Sequence, residues 1–458
     1  MKKITDLTQG SIVRGLWVMA VPLISASFVQ MAYSMTDMLW LGHLGSDSVA
    51  AVGAASFFTW LCNAFSFLTK TGSEITISQS IGARDIKRAA IYSNHAIILS
   101  ALIGLGYAFF VFTTAGNLID FFHFEEDIAS RAVGYLHFVA PGLFFQMNNN
   151  TFCGLYNGQG DSKTPFRITA VGLLFNIVLD PLLIYGYGPF PAMGTTGAAI
   201  ATALSQLIVF SLFARKIFSS RFPLGKMKIF FPLKQKFSGR IIRLGLPVCI
   251  QNGLFSMFSL TLATIAARWG AVGVAAQSIG AQIEAISWMT AAGFSTALAS
   301  FTGQNYGAGN YDRIRKGYRL TMCIAGSIGL FAGVLFFLLN REIFSIFVRE
   351  EAALEAGSVY LEILAISQLF MVTEAVTTGA FNGCGRTTPP AITSIILTGS
   401  RIPLAWLLCS FPAFGLTGIW WSITISSILK GTILPLWFFF FSKKHLPQEG
   451  RNIKEKIL

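Results

Sequence analysis

The sequence predicts an all-α integral membrane protein whose twelve spanning helices form two parallel repeats of six. Three observations predict it: the composition, the length of the apolar runs and an internal self-match. Of 458 residues, 53% are hydrophobic and only 12% charged, whereas an ordinary soluble domain carries about a quarter charged residues. The runs are long and lack the period-2 alternation of barrel strands, so helices are the spanning structure that satisfies their backbone in lipid. The self-match is a register in which residue i aligns with residue i+225 without a gap from span 1 to span 5.

Apolar runs of about 20 residues fall near 15–41, 50–79, 91–115, 129–157, 164–187, 194–218, 240–268, 274–303, 316–340, 355–382, 388–410 and 416–441. The first is preceded by Lys2, Lys3 and Arg14. At some 26 residues it exceeds the apolar core of a cleaved signal, so it is expected to be retained as a signal anchor. The six cysteines, Cys62, Cys153, Cys249, Cys323, Cys384 and Cys409, are scattered singly. They indicate neither a disulfide framework nor a metal site and read as small buried fillers.

The net charge of +13 is a matter of orientation. Arg84, Lys87 and Arg88 follow span 2, Lys163 and Arg167 follow span 4, and nine basic residues from Arg215 to Arg243 surround the connection after span 6. Arg313, Arg315, Lys316 and Arg319 follow span 8, and Lys443, Lys444, Arg451, Lys454 and Lys456 close the chain. The opposite loops hold Asp120, Glu125, Glu126, Asp127, Glu350, Glu351 and Glu355. Positive-inside bias therefore places both termini and every even-numbered connection in the cytoplasm, with no nucleic-acid partner implied.

In the self-match, Pro22 meets Pro247, Gln79, Gly82 and Ala83 meet Gln304, Gly307 and Ala308, and Tyr135 and Leu136 meet Tyr360 and Leu361. Asn157, Gly158, Gly160 and Pro165 meet Asn382, Gly383, Gly385 and Pro390, and the register slips by four residues only after span 5, where Gly194 and Gly197 meet Gly415 and Gly418. An even number of spans per copy gives parallel repeats about an axis along the membrane normal, and two such bundles facing each other across a cleft are usual machinery for alternating access. The expected organisation is a lobe at 1–218, a basic linker at 219–239, a second lobe at 240–441 and a basic tail at 442–458. The linker, which mixes Lys with Phe, Ile and Leu, is expected either on the anionic cytoplasmic leaflet or as a solvated tether.

Within this frame Asp37 stands out, in QMAYSMTDMLWLGHLG from Gln30 to Gly45, because an ionised Asp at the centre of a span costs roughly 2.5 to 3.5 kcal/mol. Asp180, in LLFNIVLDPLLIYG, has Asn176 one turn earlier on the same face. Asp37 precedes Gly42 by five residues and Asp180 precedes Gly186 by six, so both lie about 8 to 9 Å from their helix's outer end. Thr202 in span 6 follows Gly194 by eight residues, roughly 12 Å down. Pro22 and Pro181 let these helices bend and free backbone carbonyls as ligands. The repeat supplies a control: Asp37 pairs with Leu262, Asp180 with Ala405 and Asn176 with Arg401, so the fold does not demand the acids. Two carboxylates, an amide and a hydroxyl offer hard oxygen ligands for a small cation such as Na⁺. In low dielectric the same pair also makes a proton site. The bland alternative is that both acids cap or hydrogen-bond neighbouring helices.

Lys70 and Glu74, spaced i, i+4 in span 2, suit mutual neutralisation. Glu284 in span 8 and Glu374 in span 10 either pair with bases such as Arg401 or Lys430, or line a substrate cleft with Gln251 and Asn252 and hold a cationic substrate. Forty-two Phe and twelve Met suit an adaptable apolar pocket, although most apolar side chains of such a chain face lipid.

With these residues in view the chain resembles the MATE family, the multidrug and toxic compound extrusion transporters of the MOP superfamily. The resemblance covers the whole chain. It rests on twelve spans in two repeats, on Asp37-x4-Gly42-x2-Gly45, on Gln-x2-Gly-Ala at Gln79 and Gln304, and on Asn-Gly-x-Gly after spans 4 and 10. It implies efflux of organic cations and other amphipathic toxic compounds, driven by H⁺ or Na⁺, without a cofactor, by a monomer in the plasma membrane. The chain is similar to the branch with coupling acids in the first half, at the positions of Asp37, Asn176, Asp180 and Thr202. Another branch uses acids in spans 7 and 10, of which this chain has only Glu374 in span 10. Two other readings are a flippase for lipid-linked saccharides, which would need more intramembrane bases for pyrophosphate, and a lipid-modifying membrane enzyme. The latter would need clustered Asp or His, but His43, His95, His123, His137 and His445 are isolated. No ATP site supports a primary pump.

Overall fold

The computed structural model describes residues 4–447 apart from 189, 221, 226 and 228–231. Lys2, Lys3, three linker bases (Arg221, Lys226 and Lys228) and the end of the basic tail lie outside the described residues. The chain runs α1 (Ile12–Gly42), α2 (Ser46–Gly82), α3 (Ile86–Asp120), α4 (Glu126–Gly158), α5 (Lys163–Tyr185), α6 (Gly194–Ile217), α7 (Gln235–Ala266), a 3₁₀ turn (Ala267–Trp269), α8 (Gly270–Gly307), α9 (Tyr311–Leu338), α10 (Asn340–Ser345), α11 (Glu351–Ala365), α12 (Gln368–Gly383), α13 (Thr388–Gly399), α14 (Arg401–Cys409) and α15 (Thr417–His445).

Ten apolar segments among the described residues are long enough to cross a membrane, and eleven when α11 and α12, bent by 52°, count as one. One of the ten, Gln235–Gly307, holds α7 and α8, of 32 and 38 residues. At 1.5 Å per residue each is about 48 Å or longer and spans by itself, which gives the twelve that the apolar runs predict. Spans 10 and 11 differ from straight helices. In span 10, Ser367 Oγ and Gln368 Nε2 both donate to the Leu364 carbonyl, at 2.9 and 3.2 Å, and compete with the helical ladder at the bend. In span 11, Pro403 has no N–H for the carbonyl of Gly399, the residue at which α13 stops. The short α10 has no counterpart among the predicted elements.

Two compact units result, one from the described part of Met1–Thr5 with Ser25–Cys249, the other from Asp6–Ile24 with the described part of Ile250–Leu458. In the first, α4 is central, packing on α2, α3, α5 and α6; in the second, α12 packs on α8, α9, α13 and α15. The chain changes unit after Ile24 and again after Cys249, 225 residues later and just past Pro22 and Pro247. The first part of α1 thus packs in the second unit, with Leu16, Met19 and Ala20 in a core containing Phe294 and Phe301. The first part of α7 packs in the first unit, where Ile241 joins the core around Phe152 and Phe213. Lobe limits of 1–218 and 240–441 do not describe this exchange.

Packing repeats along with sequence. A Cβ on Gly154 would stand 2.6 Å from the Lys70 carbonyl oxygen, and one on Gly379 would stand 2.2 Å from that of Ser295, both residues 225 further on. Gly197 meets the backbone of Leu183, 2.4 Å from its carbonyl oxygen, as Gly418 meets the backbone of Leu408 and Cys409 at 2.8 to 2.9 Å. Each pair is a helix crossing too close for any side chain.

Candidate functional site

The second half of α1, with α4, α5 and α6, builds a buried polar cluster in the first unit. Tyr33 and Asp37 share one face of α1, a turn apart, and Asn176 and Asp180 do so on α5. Two contacts set α1 against α5: the Tyr185 hydroxyl donates to the Trp40 carbonyl at 2.7 Å, and their rings meet edge-on at 6.0 Å. The Gly197 crossing presses α6 onto α5 and brings Thr202 to the same place.

Asn176 and Asp180 are fully buried, and Asn176 Nδ2 donates to Asp180 Oδ1 at 3.0 Å. The carboxyls of Asp37 and Asp180 lie within hydrogen-bonding reach of each other. Tyr33 and Tyr135 lie within electrostatic reach of both acids and near Thr202, and the Tyr33 hydroxyl is buried without a hydrogen-bond partner among the described residues. Asp37 Oδ1, Asp180 Oδ2 and Asn176 Oδ1 are sealed from solvent without a donor from the protein. Among the described residues, no ion pair engages either acid. Buried acceptors normally find donors, so these oxygens suit a bound cation or a proton held between the carboxyls. No group of three or more His, Cys, Asp or Glu positioned to hold a metal occurs among the described residues, which leaves a mixed carboxylate, amide and hydroxyl set. Asp37, Asn176, Asp180 and Thr202 therefore come together as a group.

Sequence reasoning missed both tyrosines. Tyr33 carried a signal in its i, i+4 spacing from Asp37. Tyr135 carried one in its match to Tyr360, an aromatic hydroxyl kept in both copies while the acids were not. Pro181, directly after Asp180, leaves α5 unbroken but offers no N–H to the Ile177 carbonyl, one residue beyond Asn176.

The acids of the second unit are differently placed. Glu374 on α12 pairs with Lys430 on α15 at 2.9 Å, both side chains largely buried. The Tyr360 hydroxyl donates to Glu284 Oε2 at 3.3 Å, and Gln368 also reaches Glu284. Arg401 donates to Ser426 Oγ at 2.5 Å and Ser427 Oγ at 3.0 Å, within electrostatic reach of both glutamates. Gln251 and Asn252 lie half-buried on α7, shortly after Pro247. In α2, Lys70 lies over the Phe67 ring, 5.0 Å from its centroid, and Glu74 is buried.

A family model, MatE, matches residues 22–182 and again 247–407, two stretches offset by 225. The chain belongs to the MatE family. The duplication read from the self-match is thus the family's own repeat. Among its relatives, the chain is 29% identical to the probable multidrug resistance protein NorM of Thermotoga maritima, over 92% of this chain and 90% of that one. It is 24% identical to the FAD transporter of Shewanella oneidensis, over 94% and 95%. It superposes with a TM-score of 0.91 on a crystal structure of MATE in complex with MaL6, at 25% identity over 97% of this chain and 99% of that one. This MatE protein is a multi-pass membrane transporter, not an enzyme, which removes the lipid-modifying reading.

Proposed function

We propose that this MatE protein is a secondary antiporter that exports organic cations and other amphipathic toxic compounds in exchange for H⁺ or Na⁺, by alternating access of its two six-helix units. The observation that carries this reading is the pair Asp37 and Asp180: two neighbouring carboxyls, Asp180 fully buried and Asp37 with Oδ1 sealed from solvent, that no ion pair engages among the described residues. Two ionised carboxylates cannot hydrogen-bond each other, so the pair favours either a proton between them or a small cation beside them. Asn176, Thr202, Tyr33 and Tyr135 would complete an oxygen shell for Na⁺ or fix the protonated pair. Pro22 and Pro181, in the two helices that carry the acids, give α1 and α5 a means of bending as the site fills. The names of relatives, one a probable multidrug resistance protein, support a drug-like substrate.

Loop charges support termini on the cytoplasmic side of the plasma membrane. A flippase reading is less well supported, because Arg401 and Lys430 are engaged by Ser426, Ser427 and Glu374 within the protein and a pyrophosphate would have to compete with those partners.

Uptake of a fluorescent organic cation into proteoliposomes, with Na⁺ and pH gradients imposed separately, tests the proposal. One gradient is expected to drive transport, and drug and coupling ion are expected to lower each other's affinity. Drug affinity indifferent to both pH and Na⁺ would overturn it.

A further inference from the structure

One helical turn past Thr202 on α6, further from its Gly194 end, the first unit holds a second set of buried polar groups. Asn149 on α4 donates through Nδ2 to the carbonyl and to Oε1 of Gln206, both at 3.0 Å. α5 crosses at this level, since a Cβ on Gly172, one turn before Asn176, would lie 3.7 Å from the Ser205 carbonyl oxygen. Asn149 and Ser205 are buried, and Asn149 Oδ1 and Ser205 Oγ have no hydrogen-bond partner among the described residues.

The other copy of the repeat shows what such places take. Ser426 and Ser427 are the equivalents of Ser205 and Gln206, Arg401 of Asn176, Glu374 of Asn149 and Lys430 of Val209. There the Arg401 guanidinium donates to both serine hydroxyls, and Lys430 pairs with Glu374 at 2.9 Å. The first unit keeps neither donor: Asn176 turns its amide to Asp180, and Val209 has none on its side chain. Buried acceptors are normally satisfied, so these two call for donors from outside the protein, water or a hydrated cation. One turn beyond Gln206 the surroundings become apolar, where the Phe210 ring meets those of Phe145 and Phe152 at 5.2 and 5.6 Å.

We propose that Asn149, Ser205 and Gln206 form a hydrated transit position through which the coupling cation passes between Asp180 and the cytoplasmic side. It offers amide and hydroxyl oxygens but no carboxylate, so it hands a cation on instead of retaining it. Phe145, Phe152 and Phe210 close it on the far side. In the second unit Arg401 and Lys430 serve the same places, and no ion passes there. This inference rests on the coupling role proposed for Asp37 and Asp180.

The experiment measures gradient-driven uptake, equilibrium binding of the coupling ion and melting temperature for Ser205→Ala, Asn149→Leu/Gln206→Leu and Asp37→Asn. Ser205→Ala removes only a hydroxyl without a partner, so it is expected to melt no lower than wild type and to bind the ion with unchanged affinity. Its uptake is expected to slow about tenfold, the effect of one hydrogen bond lost from the barrier to ion passage. The double variant is expected to slow uptake likewise, and Ser205→Ala decides alone where the double variant does not fold. Uptake at the wild-type rate in Ser205→Ala, or slower uptake accompanied by weaker binding or a lower melting temperature, overturns the inference. Asp37→Asn keeps two failures apart. Uptake lost in Asp37→Asn but normal in Ser205→Ala defeats the transit position alone, whereas normal uptake in Asp37→Asn defeats the coupling reading and the transit position with it.

Discussion

Tyr135 and Tyr360 occupy equivalent places in the two halves and keep opposite electrostatic company. In the first unit the tyrosine lies within electrostatic reach of Asp37 and Asp180, and among the described residues no ion pair engages either acid. In the second it donates to Glu284, with Arg401 within electrostatic reach and Glu374 paired to Lys430. The backbone is shared, down to the glycine crossings at Gly197 and Gly418. The contrast teaches that duplication preserved the packing and freed the polar residues to diverge. One copy keeps acids that no ion pair engages among the described residues, and the other sets Lys430 and Arg401 near its acids.

The largest expected effect follows from removing that requirement. Asp37→Asn and Asp180→Asn should each reduce gradient-driven uptake to the level of empty liposomes, while Glu374→Gln/Lys430→Met, which neutralises the second unit as a pair, should leave uptake within a few-fold of wild type. Breaking that pair on one side should show next. Lys430→Met leaves a buried carboxylate unpaired and should cost about 3–5 kcal/mol in unfolding measurements, whereas the double variant should recover most of it. Overpacking comes third: Gly197→Ala and Gly418→Ala should each destabilise by about 1–3 kcal/mol, but only Gly197→Ala, at the crossing of the helices that carry Asp180 and Thr202, should also shift the ion dependence of uptake. The smallest effect sharpens the comparison at the tyrosines. Tyr135→Phe and Tyr360→Phe should each cost about 1 kcal/mol, with only the first altering the ion concentration for half-maximal uptake.

Much of the fold was legible because lipid constrains sequence so strongly. Apolar runs located all twelve spans, and the register at 225 anticipated the two stretches of the family match. The bend at Ser367 and the break at Ser400 were not legible, since they arise from side chains bonding within one turn and from a single proline that apolar runs do not weigh. Nor was the exchange of the first parts of α1 and α7, because an uninterrupted helix carries no mark of which neighbours each part packs against. At the site, Asp37, Asn176, Asp180 and Thr202 could be assembled from depth and helical face. Tyr33 and Tyr135 carried only a spacing and a repeat match, which do not by themselves say what a hydroxyl meets. The ion pair of Glu374 with Lys430 joins helices α12 and α15, whose rotation about their axes the apolar pattern leaves open.

The most direct measurement is equilibrium cation binding to purified protein, with Na⁺ binding and proton release followed together in wild type, Asp37→Asn and Glu374→Gln/Lys430→Met. One exchangeable site per chain is expected, abolished by Asp37→Asn and intact in the double variant. Binding that survives Asp37→Asn, or that disappears with the charges of the second unit, would contradict the assignment of coupling to the first.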